Sequence, residues 1–251
     1  MYITLKGIVL RDVRYKESDK ILTVFSDTVG KITVSAHGAL SKKSKIAAVC
    51  QHLTYSEFVL DCRNGRYSIK EATVIEPFSC LRADYPTYSL ACYFSECLLS
   101  LSADEIPDEP VLRIMLNALY ALDRKLYPAE QIKAAFELKL LSELGYCPDL
   151  FSCSVCGSKD IHDPVFSYEN GCVCCYDCRH NISGNMVRID TRLLKILRFI
   201  LSSDVKHFIS FRGETQELHT LANIAEKYLL YHTEKYFSTL DYWKNIKNDL
   251  L

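Results

Sequence analysis

Apolar and polar positions alternate with a period of two along residues 2–77. Ile3, Leu5, Ile8 and Val9 open a first strand running toward Arg14. Ile21–Phe25 makes a second, Ser26-Asp27-Thr28-Val29-Gly30 a turn, and Lys31–Ser35 a third. Leu53–Leu60 reads as a fourth, and Asp61-Cys62-Arg63-Asn64-Gly65 turns into a fifth, Tyr67–Ile75. Five short strands with turn residues between them predict a small closed barrel. A five-stranded OB-fold is the natural candidate, with an SH3-like or other small barrel as the alternative.

After Pro77 the period changes to that of a helix. Thr87–Leu101 is apolar at helical spacing, and Asp108-Glu109-Pro110 starts a helix carrying Val111, Leu112, Met115, Leu116 and Leu119. Pro128-Ala129-Glu130 starts another, which runs through Ile132, Phe136, Leu140 and Leu144 and stops at Gly145. Asp190 caps a helix over Thr191–Leu201. A last long helix is predicted from about Thr215 to Leu240, with Leu218, Leu221, Ile224, Ala225, Tyr228 and Leu229 on one face. Between these helices, Val165–Tyr168 and Cys172–Cys174 read as a hairpin around a type I′ turn at Asn170-Gly171.

The fold class is therefore α+β and multidomain: an N-terminal five-stranded OB-fold barrel, then an α-helical domain with an inserted zinc ribbon. The expected parts are residues 1–77 for the barrel, 78–149 for the first helices, 150–183 for the ribbon and 184–251 for the remaining helices.

The ribbon rests on cysteine spacing. Cys153-Ser-Val-Cys156-Gly157 and Cys175-Tyr-Asp-Cys178 form C-x2-C-x18-C-x2-C, in which each C-x2-C turn points two thiolates at one tetrahedral metal. A disulfide framework is the rival reading. Met1-Tyr2-Ile3-Thr4-Leu5-Lys6 lacks the charged start and apolar core of a secretion signal, so a reducing compartment and a metal are expected. Cys175 and Cys178 follow the return strand as a knuckle should, although Cys172 and Cys174 lie close enough to compete. Gly157 suits a left-handed turn beside the first pair. Four thiolates close the coordination shell, which predicts one structural Zn2+ and disfavours a zinc hydrolase. A deaminase needs His-x-Glu upstream of its cysteines, and His232-Thr233-Glu234 lies downstream. His180 is a weak alternative ligand. The other six cysteines sit among apolar residues and read as small buried hydrophobes.

Charge changes the picture in one respect. The net charge is −1 over 251 residues, which alone does not mark a nucleic-acid binder. Residues 1–77, however, carry 12 Lys and Arg against 8 Asp and Glu, whereas residues 78–149 carry 6 against 11. Contact with a polyanion is expected in the barrel. Lys42, Lys43 and Lys45 fall in the long connection between strands three and four, which in OB-folds flanks the groove for single strands. Arg14, Lys31, Arg63, Arg66 and Lys70 would extend the patch, and Tyr15 and Tyr67 would stack bases. A lysine run is also what an ordinary solvated loop looks like. No phosphate-binding G-x-x-x-x-G-K-[ST] loop, G-x-S-x-G elbow or H-E-x-x-H motif is present, so no catalytic residues are expected. Asp104-Glu105 and Asp108-Glu109 read as solvated loop and capping residues.

These parts resemble a known family. Gly7-Ile8-Val9-Leu10 leading to Tyr15-Lys16-Glu17-Ser18-Asp19, Phe25-Ser26 through Gly30-Lys31, and Ala36-His37-Gly38 with the Lys42–Lys45 cluster are similar to the barrel of the bacterial RecO family. Phe136-Glu137-Leu138-Lys139-Leu140-Leu141, Leu144-Gly145-Tyr146 and Pro148, running into Cys153, are the most specific stretch; Phe166-Ser167 before Gly171 also fits. The resemblance spans nearly the whole chain. It implies a recombination mediator in DNA repair that is not an enzyme. Such a protein binds single- and double-stranded DNA, anneals complementary strands, and with RecR loads RecA onto strands covered by single-stranded DNA-binding protein (SSB), whose C-terminal tail is a further partner. It implies a bacterial cytoplasmic protein that joins the nucleoid during repair, with no membrane contact. Two departures stand out: Gly171-Cys172 replaces a common Gly-Gly pair, and the near-neutral total charge is modest for a DNA binder. The competing expectation is a zinc-ribbon adaptor that binds proteins and leaves DNA alone.

Overall fold

Five strands close into a barrel in a computed structural model that describes residues 1–249. They are β1 (Tyr2–Tyr15), β2 (Asp19–Ser26), β3 (Gly30–Ala36), β4 (Tyr55–Arg63) and β5 (Arg66–Glu76), joined in the order β1-β2-β3-β5-β4. β1 serves two neighbours: Tyr2–Ile8 pairs with β4 and Gly7–Tyr15 with β2. A bulge between Val9 and Arg11 bends the strand so that it can do both. The inward positions Leu5, Val9, Leu22, Val24, Ile32, Val34, Phe58 and Leu60 are buried and form the barrel core. Each such side chain contributes about 1.5–3 kcal/mol of hydrophobic stabilisation.

Local chemistry sets the strand ends. Arg63 pairs with Arg66 across Asn64 (φ 51°) and Gly65 (φ 71°), a two-residue hairpin of the kind Asn-Gly favours. β4 begins at Tyr55 rather than Leu53, because Leu53 takes φ 63° and donates its N–H to the Val9 carbonyl, 2.8 Å away. β3 and β5 run parallel and share two residue pairs, Val34 with Tyr67 and Ser35 with Ser68. The start of β3 is covered instead by the segment after the first helix. Lys31 forms a parallel bridge with Asp104, and the Glu105 N–H donates to the Lys31 carbonyl, 3.1 Å away.

The chain divides into two compact units, Met1–Arg113 with the C-terminal segment from Phe237, and Ile114–Tyr236. In the first, α1 (Tyr85–Leu101) is capped by Asp84, whose carboxylate accepts from the Thr87 N–H. It packs against α6 (Ser238–Asp249): Glu96 accepts from the Thr239 N–H at 3.0 Å, and the Tyr93 and Phe237 rings meet edge-on at 5.7 Å. The single helix expected over Thr215–Leu240 is thus two. Glu234 takes φ 50° and ends α5 (Thr215–Thr233), so that Phe237 is buried in the first unit. Apolar spacing runs across this break because both sides bury a face, and the expected 184–251 segment is shared between the units.

α2 (Glu109–Asp123) begins at the cap Asp108, which accepts from the Val111 N–H at 3.1 Å. The second unit packs α3 (Ala129–Glu143) against α4 (Thr191–Ser202) and α5. It also holds a small sheet in the order β7-β6-β8, with β6 Val165–Ser167, β7 Cys172–Cys174 and β8 Met186–Arg188. The hairpin turn differs from expectation. Ser167 pairs with Cys172, so four residues connect the strands, and of these Gly171 alone has positive φ. Asn170 spends its side-chain amide on Ser167 Oγ and the Ser183 carbonyl, both at 2.8 Å, rather than adopting the left-handed conformation of a type I′ turn. β8 is too short to carry a readable alternation. Among the described residues no helix is long and apolar enough to cross a membrane.

Candidate nucleic-acid interface and cysteine centre

The structure brings Cys153, Cys156, Cys175 and Cys178 together: their four sulfurs lie within 4.8 Å of one another. Gly157 takes φ 72° and donates its N–H to the Cys153 carbonyl at 2.9 Å, closing the first knuckle. β7 delivers Cys175, and a short 3-10 turn over Tyr176–Asn181 carries Cys178. Sulfurs about 2.3 Å from a tetrahedral zinc stand about 3.8 Å apart, so slight side-chain rotation would complete the shell.

The electrostatics fit a cation. Burial would raise the Cys153 thiol, but the N–H groups of Cys156, Cys175 and Val155 hold it down at about 6. Burial pushes up Cys175, and it pushes Cys178 to about 12 with hydrogen bonds from the neighbouring thiols adding to it. Cys175 and Cys178 thus resist ionisation without a cation beside them; a soft divalent ion at the centre of the group removes that resistance. Cys172 instead donates to Ser154 Oγ at 3.4 Å, and Cys174 is buried in the sheet with its thiol pushed up to about 11 by desolvation. His180 is exposed and outside the group.

Helices of the same unit hold this centre. The Phe166 ring packs edge-on against Tyr228 of α5 at 5.5 Å, and His232 Nε2 lies 2.8 Å from the Tyr168 carbonyl. Arg198 Nε of α4 donates to the Leu150 carbonyl at 2.7 Å, ahead of the first knuckle.

On the barrel, Tyr15, Ile21, Ser35, His37, Arg63, Arg66, Tyr67 and Ser68 line a cleft of about 820 Å³ together with Asp61 and Asn64. It runs across the ends of β1, β3 and the β4–β5 hairpin, and offers two arginines, two tyrosines and an imidazole. Asp61 is paired with Arg63 Nε at 2.8 Å, yet Arg63 stays 78% exposed. Asp19 organises the rim: Oδ1 accepts from the Gly38 N–H at 2.8 Å and Oδ2 meets His37 Nδ1 at 2.9 Å. The Gly38 N–H, then His37, hold the Asp19 carboxyl at about 2. The Leu40 N–H donates to the Ser18 carbonyl at 2.8 Å, which ties the lysine connection to the β1–β2 turn. Sequence reasoning did not foresee Asp19 as this anchor, and Ile21, Ser35 and Ser68 carried no chemical signal.

The basic residues fall into distinct places. Arg63 and Arg66 line the cleft. Lys42, Lys43 and Lys45 are exposed in the connection after β3, and Arg14 and Lys70 are exposed on β1 and β5 outside the cleft lining. Lys31 differs. Its ammonium donates to the Leu99 and Ser102 carbonyls, each at 2.7 Å, and meets Asp104 at 3.3 Å with the side chain 12% exposed. Three donors meet three acceptors, so Lys31 is a structural clamp.

Comparison with known proteins agrees with this architecture. Residues 1–78 match the family model described as Recombination protein O N terminal, and residues 82–241 match Recombination protein O C terminal. The chain is 32% identical over 245 residues to the DNA repair protein RecO of Acetivibrio thermocellus, covering 98% of this chain and 97% of that one. It is 32% identical to RecO of Caldicellulosiruptor saccharolyticus (98% and 99% covered) and 30% identical to RecO of Listeria innocua (96% of each). With an OB-like barrel, a helical body and a cysteine centre all in the matched order, this chain belongs to the RecO family of DNA repair and recombination proteins.

Proposed function

We propose that the chain is a non-catalytic recombination mediator that binds single- and double-stranded DNA, holding a single strand in the barrel cleft with the lysine connection as a further source of phosphate contacts. The observation that carries this reading is the cleft itself, where Arg63 and Arg66 stand beside Tyr15 and Tyr67. Cations that track phosphates, interleaved with aromatic rings for bases, are what sequence-independent single-strand binding requires. Annealing needs contacts that hold a strand while leaving its base edges free to pair. Phosphate contacts and open stacking do this, and deep base pockets would not. Lys42, Lys43 and Lys45 have no ion pair among the described residues, so their charge is available to phosphates. Arg14 and Lys70 are further phosphate contacts in this reading, whereas Lys31 is not.

The same reading takes the ion at Cys153, Cys156, Cys175 and Cys178 to be zinc. Its role is to close a knuckle too small to hold itself together by apolar burial. The RecO relationship supports RecR, RecA and the SSB tail as partners and the bacterial cytoplasm and nucleoid as the place of action. An acidic peptide with an apolar end, such as that tail, would seek an apolar groove beside a Lys or Arg.

Binding of a fluorescent homopyrimidine oligonucleotide tests the reading. Tyr15→Ala is expected to cost about 1–3 kcal/mol of affinity, the worth of one stacked base. Replacing Lys42, Lys43 and Lys45 with Ala is expected to flatten the log K against log[salt] slope by up to about 2, roughly 0.7 per lost phosphate contact. Unchanged affinity and slope in both variants would leave the protein-binding adaptor as the surviving function.

A further inference from the structure

A second concavity, of about 250 Å³, adjoins the cleft at Tyr67, which lines both. Thr23, Lys31, Thr33, Gly65, Asp104 and Glu105 are among its walls. The two acids belong to the strap between α1 and α2, which lies along the start of β3 through the Lys31–Asp104 bridge and the Glu105 N–H bond to the Lys31 carbonyl. The fit is close: a Cβ placed on Gly30 would come within 2.1 Å of the Ile106 carbonyl oxygen. Asp104 and Glu105 are nonetheless exposed, the Asp104 side chain by 81%.

We propose that Asp104 and Glu105 are specificity-determining residues that bound the single-strand groove. They close its Tyr67 end to the phosphate chain and confine the strand to the stretch between Tyr15, His37, Arg63 and Arg66. This rests on the cleft being the strand site. Asp104 takes the third donor of the Lys31 ammonium, so the cation that lines this concavity offers nothing to a phosphate. Glu105 adds a carboxylate to the concavity that Tyr67 also lines, so it repels a phosphate entering there, most strongly at low salt. The concavity that would otherwise lengthen the track thereby repels it. A shorter track holds each strand with fewer contacts, which favours release once a complementary strand has paired.

The test compares three variants with the parent chain by titration of homopyrimidine oligonucleotides of increasing length at several salt concentrations. Asp104→Asn with Glu105→Gln keeps the strap's shape and removes both charges. It is expected to bind about five-fold more tightly at low salt, with a salt slope steeper by about 0.7 as Lys31 gains a phosphate. The oligonucleotide needed for full affinity should also lengthen. Glu105→Gln alone leaves the Lys31–Asp104 pair in place and is expected to tighten binding by a smaller factor; it decides the matter if the double variant does not fold. Arg63→Ala with Arg66→Ala is expected to weaken binding. Parental affinity, slope and length dependence in the strap variants, alongside weak binding by the arginine variant, would overturn the strap's role and leave the cleft standing. Parental binding by the arginine variant would overturn the cleft and the strap with it.

Discussion

Single residues fix the edges of the barrel cleft and of the strap beside it. Gly30 sits at φ 74° with the Ile106 backbone pressed against the place a side chain would occupy. Gly30→Ala meets a left-handed backbone and a clash with main chain at once. It is expected to cost on the order of 1–3 kcal/mol from the backbone conformation alone, read as a lower urea midpoint, and to displace the strap. Asp19 works at the opposite rim. Its carboxyl is held at about 2 in the folded chain against an ordinary 3.8, chiefly by the Gly38 N–H and then by His37. A depressed acid stabilises the fold above its ordinary value and loses that contribution as pH falls toward the folded one. Asp19→Asn should therefore melt below the parent near neutral pH, and the gap should close between roughly pH 4 and pH 2. Thermal melts of both proteins across that range check this.

At the scale of elements, α3 departs furthest from what its sequence says. Ile132, Phe136 and Leu140 mark one apolar face, and Gln131, Lys133, Glu137 and Lys139 would ordinarily mark a wet one. All of them are buried. Lys133 meets Glu137 at 2.8 Å and Glu226 of α5 at 3.0 Å; Gln131 donates to the Ile209 and Phe211 carbonyls; Lys139 donates to Leu201 and Ser203 at the end of α4. Gln131, Lys133 and Lys139 each satisfy a group on a neighbouring segment, so α3 acts as the post to which the second unit is tied. Lys133→Met leaves two carboxylates without their cation and is expected to cost about 3–5 kcal/mol, seen as a lower urea midpoint at unchanged slope. This pattern explains what sequence could and could not reveal. The barrel strands and the capped starts of α2 and α4 were legible because alternation and caps are local. The central place of α3, the break at Glu234 and the strap on β3 were not, because each depends on a partner far along the chain. The same holds for the site: cysteine spacing and the arginine hairpin are local signals, while the capture of Lys31 by two carbonyls and a carboxylate is not.

Across the whole molecule, chemistry is divided between the two units. The cleft, the lysine connection and the strap belong to the first, and all four sulfurs of the cysteine centre belong to the second. The proposed structural ion in one unit and the proposed strand site in the other should respond separately to perturbation. Cys153→Ser removes the thiol to which the Cys175 N–H donates and whose ionisation the neighbouring N–H groups favour. The variant is expected to lose its bound metal, with a stability loss of several kcal/mol in the second unit. Structural zinc in small knuckles contributes about 10–16 kcal/mol of binding free energy, only part of which folding recovers when helices already pack around the hairpin. Single-strand affinity, measured on freshly prepared protein well below its melting temperature, should stay within about two-fold of the parent, a difference of about 0.4 kcal/mol. Metal content by atomic emission, a thermal melt and an oligonucleotide titration on the same sample separate the two effects. A metal-free variant that melts with the parent would remove the structural role of the centre. A stable variant that has lost its affinity for single strands would move the strand site toward the cysteines and away from the barrel.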